Sequence, residues 1–188
     1  MLLLVTGGSA CGKSEYAESL ALDLHEGQEG RLIYLATMEP YGAAAEERIA
    51  RHRTLRAGKG FETIERYRDL AGLKDLPEGA VILLECMSNL TANELYDETG
   101  TVRDGAEERI LEGMARLEAA AAHLVVVTLN VFEDGRTFDE GTERFRQCLA
   151  RVNAELARQA DAVTEVICGI PVSVKGPQLK EGGSPCSH

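Results

Sequence analysis

The sequence predicts an α/β fold in three layers, a mainly parallel sheet covered by helices on both faces. Two observations carry this. Short apolar runs alternate with helix-patterned segments along the chain, as in strands buried on both faces and joined by helical crossovers. The first run, Leu2 to Val5, leads into Gly7-Gly8-Ser9-Ala10-Cys11-Gly12-Lys13-Ser14. That stretch fits G-x-x-x-x-G-K-[ST] between a strand and a helix, the context of a phosphate-binding P-loop.

Each element follows from its pattern. Tyr16, Ala17, Leu20, Ala21 and Leu24 recur at helical spacing, so Lys13 to about Glu26 reads as a helix ended by Gly27 and Gly30. Leu32 to Ala36 is a second buried strand. Residues 43–56, AAAEERIARHRTLR, form a charged helix, and AGKG at 57–60 breaks it. FETIE at 61–65 alternates as a short strand does, and Ala80 to Leu84 is an apolar strand ended by Glu85. MSNLTANELYD reads as a helix, GTVRDG at 100–105 as a surface turn, and Glu107 to Ala122 as a long helix. Leu124 to Val127 is the next strand. Phe145, Cys148, Leu149, Val152 and Leu156 place one stripe on a helix over 139–160. Ala162 to Ile167 is the last core strand, and Pro171 to Lys175 extends it or forms an edge strand. The reading gives one domain over 1–175 and a mobile tail over 176–188.

Composition narrows the function. The 188 residues, 44% of them hydrophobic, suit one domain with a sizeable core. A net charge of −11 argues against a broad nucleic-acid or acidic-membrane surface. No apolar run approaches the ~20 residues of a membrane span. The first strand begins at Leu2, which leaves no room for a cleavable signal peptide. The five cysteines, Cys11, Cys86, Cys148, Cys168 and Cys186, contain no C-x-x-C pair, so buried free thiols in a reducing cytoplasm are expected.

Ligands bind such folds at the carboxyl ends of strands. Chemistry is therefore expected in 7–14, 37–39, 85–89 and 128–135. Glycines let backbone N–H groups converge on an anion, and the helix N-terminus adds partial positive charge. Lys13 would reach the β- and γ-phosphates, and the Ser14 hydroxyl would hold Mg²⁺. Glu85 has the strand-end position from which P-loop proteins place an acid for Mg²⁺, or it is a strand-end Glu reaching solvent. His52 sits among Arg48, Arg51, Arg53 and Arg56. That run is either a solvated basic face or a phosphate-gathering one. In the second case the positive charge keeps the imidazole neutral and nucleophilic. There is no N-K-x-D segment and no D-x-x-G after the second strand, so a switch GTPase is not supported.

At this point the chain resembles the bifunctional adenosylcobinamide kinase / adenosylcobinamide-phosphate guanylyltransferase family of cobalamin biosynthesis. The carrying segments are LLLVTGGSACGKS, YLAT at 34–37, ERIARHR at 47–53, ETIE at 62–65, LLECMSN at 83–89, RVNAELARQAD at 151–161 and VICGIPV at 166–172. The resemblance implies a P-loop fold and two reactions. A nucleoside triphosphate, ATP or GTP, phosphorylates the aminopropanol hydroxyl of adenosylcobinamide. GTP then transfers GMP to an enzyme histidine and on to that phosphate. His52 matches the guanylylated histidine. Gly7 to Ser14, Thr37, Met38, Glu39, Arg53, Thr54, Leu55, Arg56, Glu65 and Glu85 match nucleotide contacts, with Ser14 and Glu85 toward the metal. The resemblance also implies a homotrimer with sites between subunits. One segment departs: the family's usual V-T-N-E-V reads Val127-Thr128-Leu129-Asn130-Val131 here. A simple P-loop kinase without a histidine intermediate, and a nucleotide-binding regulatory protein, stand as alternatives.

Overall fold

The computed structural model describes residues 1–40, 42–74, 76–130 and 138–177, with the backbone alone at 43–46, 48, 52 and 55. The elements run β1 (Leu2–Gly7), α1 (Lys13–His25), β2 (Leu32–Ala36), α2 (Ala43–Arg56), β3 (Glu62–Glu65), β4 (Ala80–Leu84), α3 (Met87–Leu95), α4 (Ala106–Ala120), β5 (Ala121–Val127), α5 (Glu140–Gln159), β6 (Ala162–Ile167) and β7 (Ile170–Lys175). A 3₁₀ turn at Leu70–Gly72 lies between β3 and β4.

The strands form one sheet in the order β3-β2-β4-β5-β1-β6-β7. All neighbours are parallel except β6 and β7. Period-two alternation splits each central strand between two cores. Leu3, Val5, Leu83 and Val125 pack with Tyr16, Ala17 and Leu20 of α1. Leu2, Leu4, Ile82 and Val126 face the other way, onto Leu90 of α3, Ile110 and Leu117 of α4, and Leu149 and Val152 of α5. This is the three-layer arrangement the apolar runs predict.

The boundary between α4 and β5 differs from expectation, whereas the segment after β6 takes the edge-strand alternative. The alanine run 119–122 favours helix by propensity, yet α4 stops at Ala120. Ala121 pairs with Ala80 and His123 with Val81, so sheet pairing takes over the last part of the run. The segment after β6 turns back at Cys168 and Gly169, both at positive φ, and β7 becomes an antiparallel edge strand. The cysteines also depart from a uniformly buried set. Cys148 is buried, Cys11 and Cys86 are half-buried and Cys168 is exposed, all as free thiols. Cys186 and most of the expected tail lie outside the described residues. Among the described residues no helix is long and apolar enough to cross a membrane.

Candidate active site

The P-loop leaves β1 at the carboxyl edge of the sheet and re-enters as the first turn of α1. The glycines are fixed by sterics. Gly7 has φ 150, and a Cβ there would sit 2.5 Å from the Val166 carbonyl oxygen. Gly12 caps α1 at φ 92, a left-handed conformation that a side chain disfavours. Ala10 also takes a positive φ, 55, so the loop holds some backbone strain. Lys13 is buried and donates Nζ to the Gly8 carbonyl at 2.8 Å. Ser14 lies half-buried in the same turn.

A second centre lies over β2, β3 and β4. A cleft of about 140 Å³ is lined by Tyr34, Met38, Arg53, Arg56, Glu65 and Glu85, among others. The Arg56 guanidinium stacks over the Tyr34 ring at 3.3 Å, a cation–π contact. Arg56 is 7% exposed, and its Nη1 has no hydrogen-bond partner. Glu85, also buried, accepts from the Thr37 backbone N–H at 3.2 Å. Burial, and then the Glu85 carboxylate, push the Tyr34 hydroxyl above the usual phenol range. At the rim, Glu65 pairs with Arg53 and accepts from the Tyr67 hydroxyl at 2.9 Å. The Tyr67 hydrogen bond and then Arg53 hold the Glu65 carboxyl below its ordinary value. Burial and the bond to Glu65 push Tyr67 up to about 12.

The structure thus gathers Thr37, Met38, Arg53, Arg56, Glu65 and Glu85 in one region and Gly7 to Ser14 in another. Strand β5 stands between β4 and β1, so Glu85 is two strands, ~10 Å, from the P-loop strand. Glu39 is paired with Arg68 at 3.3 Å. Thr54 caps back onto the Ala50 carbonyl at 3.0 Å. His52 and Leu55 lie on the last two turns of α2. His52 is one turn before Arg56, and its side chain and that of Leu55 lie outside the described set.

Sequence reasoning missed Tyr34, Tyr67 and Asn93. Asn93 of α3 donates Nδ2 to the Thr37 carbonyl at 2.9 Å and to the Tyr67 carbonyl at 3.0 Å. One amide therefore ties together the loops after β2 and β3. Its role depends on three segments distant in sequence, so no local motif could reveal it. After β5, Asn153 of α5 accepts from the Thr128 hydroxyl at 2.7 Å and donates to the Leu129 carbonyl at 3.2 Å. Val131 and the rest of the expected segment to 135 lie outside the described residues.

A glycine loop at a helix N-terminus, a buried lysine in it and an arginine-lined cleft on the same sheet edge define a P-loop nucleotide-handling protein. Comparison with known proteins identifies the family. Residues 3–174 match the family described as cobinamide kinase / cobinamide phosphate guanyltransferase, and the chain belongs to it. The bifunctional adenosylcobalamin biosynthesis protein CobU of Escherichia coli strain K12 is 30% identical over 93% of this chain and 100% of its own length. That of Salmonella typhimurium strain LT2 is 32% identical over the same shares. The chain is accordingly an enzyme of cobalamin biosynthesis, a transferase with the family's kinase and guanylyltransferase role.

Proposed function

We propose that GTP spans both centres, and that His52 carries GMP between two substrates. The observation that supports this most is Arg56. A buried guanidinium nitrogen without a partner is costly, and Arg56 lines the cleft one helical turn after His52. A nucleotide phosphate or base would satisfy it. The β- and γ-phosphates would lie on the P-loop amides and Lys13, and the nucleoside in the cleft between Tyr34, Arg56, Glu65 and Glu85.

In the kinase step the acceptor hydroxyl oxygen bonds to the γ-phosphorus, and the bond to the β-phosphate oxygen breaks. ATP or GTP serves as donor. In the second reaction a neutral His52 nitrogen attacks the α-phosphorus of GTP, and pyrophosphate leaves with the bonding pair. The phosphate of cobinamide phosphate then attacks the same phosphorus and releases the imidazole. Arg53 and Arg56 would offset charge on the α-phosphate.

Among the described residues no group of three or more His, Cys, Asp or Glu can hold a metal alone. The P-loop does offer the Ser14 hydroxyl, which suits Mg²⁺, an ion that takes few protein ligands and keeps phosphate and water oxygens. Bound there, Mg²⁺ would neutralise charge on the phosphates. Glu85, one intervening strand away at the end of β4, would face the ion through water rather than directly. Assembly as a homotrimer in the cytoplasm completes the reading. Its support is the apolar β6–β7 edge, where Ile167, Ile170, Val172 and Val174 are exposed and a second copy would cover them.

The test is incubation with GTP labelled at the α-phosphorus. The parent is expected to take up label that survives alkali and is lost in acid, as a histidine phosphoramidate is. His52→Ala is expected to take up none and to keep phosphorylation of cobinamide at least in part. Label on His52→Ala would move the nucleophile elsewhere. A parent that phosphorylates cobinamide and never takes up label would leave a simple kinase.

A further inference from the structure

A carboxylate not yet given a role stands beside the P-loop. Register sets Glu165 of β6 opposite Thr6 of β1, and Val166 opposite Gly7. Its carboxyl therefore lies at the sheet's carboxyl edge, where the P-loop departs. Alternation puts Val166 on the α1 side, in one core, and Val163 in the other. Glu165 shares Val163's face, the side covered by α5. Lys13 and the first turn of α1 approach the loop from the opposite side of the sheet.

The position is built rather than incidental. Asn130 donates its backbone N–H to the Gly7 carbonyl at 3.2 Å and its Nδ2 to Glu165 Oε1 at 3.5 Å. The segment presenting Asn130 is held by Asn153 of α5. Strand β6 thus presents a half-buried carboxylate beside β1, in contact with a segment that α5 holds in place. Its hydrogen bond from Asn130 is long, and a carboxylate has about four acceptor sites, so it keeps capacity for a hydroxyl donor.

We propose that Glu165 is the proton acceptor of the kinase step. This rests on the kinase reading above. The acceptor alcohol would donate its O–H to Glu165. As its oxygen bonds to the γ-phosphorus, the proton passes to the carboxylate, and the nucleoside diphosphate leaves with the electron pair of the broken phosphorus–oxygen bond. The proton then returns to solvent. The guanylyl step uses an imidazole and a phosphate as nucleophiles, neither of which must lose a proton. Glu165 therefore serves one of the two reactions.

That asymmetry supplies the test. Cobinamide phosphorylation and GMP-adduct formation are measured separately on the full chain, with melting temperature as a check of folding. For Glu165→Gln, kcat of phosphorylation is expected to fall ~100-fold or more. KM for the nucleotide should stay within about threefold, and adduct formation should keep its parent rate, because general-base loss acts on the proton-transfer step alone. Glu165→Asp, which keeps a shorter carboxylate, should recover part of kcat. Parent-like kcat in Glu165→Gln overturns the proposal. So does an equal loss of both activities, which would make Glu165 a support of the P-loop. A parent with adduct formation but no phosphorylation would defeat the kinase reading itself, and the proposal with it.

Discussion

Lys13 is a lysine buried to 8% exposure whose Nζ meets one carbonyl oxygen, that of Gly8. In the proposed site a triphosphate would supply the stronger partner that a charge desolvated in this way calls for. Lys13→Ala is expected to weaken triphosphate binding ~10–100-fold, the range of a charge-assisted contact, while the melting temperature barely moves. Isothermal titration with a non-hydrolysable triphosphate reads this, and parent-like affinity would remove the P-loop assignment. Glu65 gives a pH test. Its folded value lies below its unfolded one, through Tyr67 first and Arg53 second. The stabilisation is therefore present above the unfolded value and is lost as pH falls through the lowered folded value. Near neutral pH, Glu65→Gln should melt slightly below the parent, since the pair with Arg53 is solvent-screened. The gap should close in acid below the usual carboxylate range. A constant gap from neutral to acid would mean that Glu65 acts through packing.

At the scale of elements, helix α4 shows packing overruling propensity. Gly113 lies mid-helix, where alanine is favoured by ~1 kcal/mol. A Cβ there would stand 2.6 Å from the Leu70 Cβ of the 3₁₀ turn, and overpacking costs ~1–3 kcal/mol. The contact is with buried side chain and nearby backbone, so relief requires the 3₁₀ turn to shift. Gly113→Ala should therefore lower stability by about 1 kcal/mol net, a drop of ~2–4 °C in melting temperature for a chain of this size. A rise on differential scanning calorimetry would show the turn giving way freely. The same turn is tied to α3 and α4 by Glu94. That buried carboxylate accepts from the Asp69 N–H at 2.5 Å and from Arg109 Nε at 2.8 Å. It anchors the segment that follows β3, and with it one wall of the cleft.

For the whole molecule, the sheet has two unlike edges. Strand β3 at one end is short and polar, with Arg31 paired to Glu62 beside it. The other end is β7, where Ile170 and Val172 pair with Ile167 and Glu165 on one face. Exposed apolar side chains on an edge strand favour association. The double change Ile170→Lys with Val172→Asp is expected to shift the protein to a smaller species in sedimentation, with parent-like circular dichroism. An unchanged sedimentation coefficient would place any self-contact elsewhere. The β6–β7 turn also donates the Gly169 N–H to the Cys11 carbonyl at 2.9 Å, so this edge braces the P-loop directly.

The sequence by itself determined the strands, the helices and the P-loop. Each depends on neighbours a few residues away: period-two or near-continuous apolar runs, 3.6-residue stripes, and glycines at fixed offsets from Lys13. The segments that resemble the family likewise pointed to His52, Arg53, Arg56, Glu65 and Glu85. Only the tertiary structure decided how these residues group. Strand order in a parallel sheet is fixed by crossovers and core burial, not by chain order, and it inserted β5 between Glu85 and the P-loop. It also brought Tyr34 under Arg56, Asn93 between two loops, and Glu165 opposite Thr6, next to the start of the P-loop. Those relations join residues tens to more than a hundred positions apart, and no local pattern encodes a distance that the packed sheet alone creates.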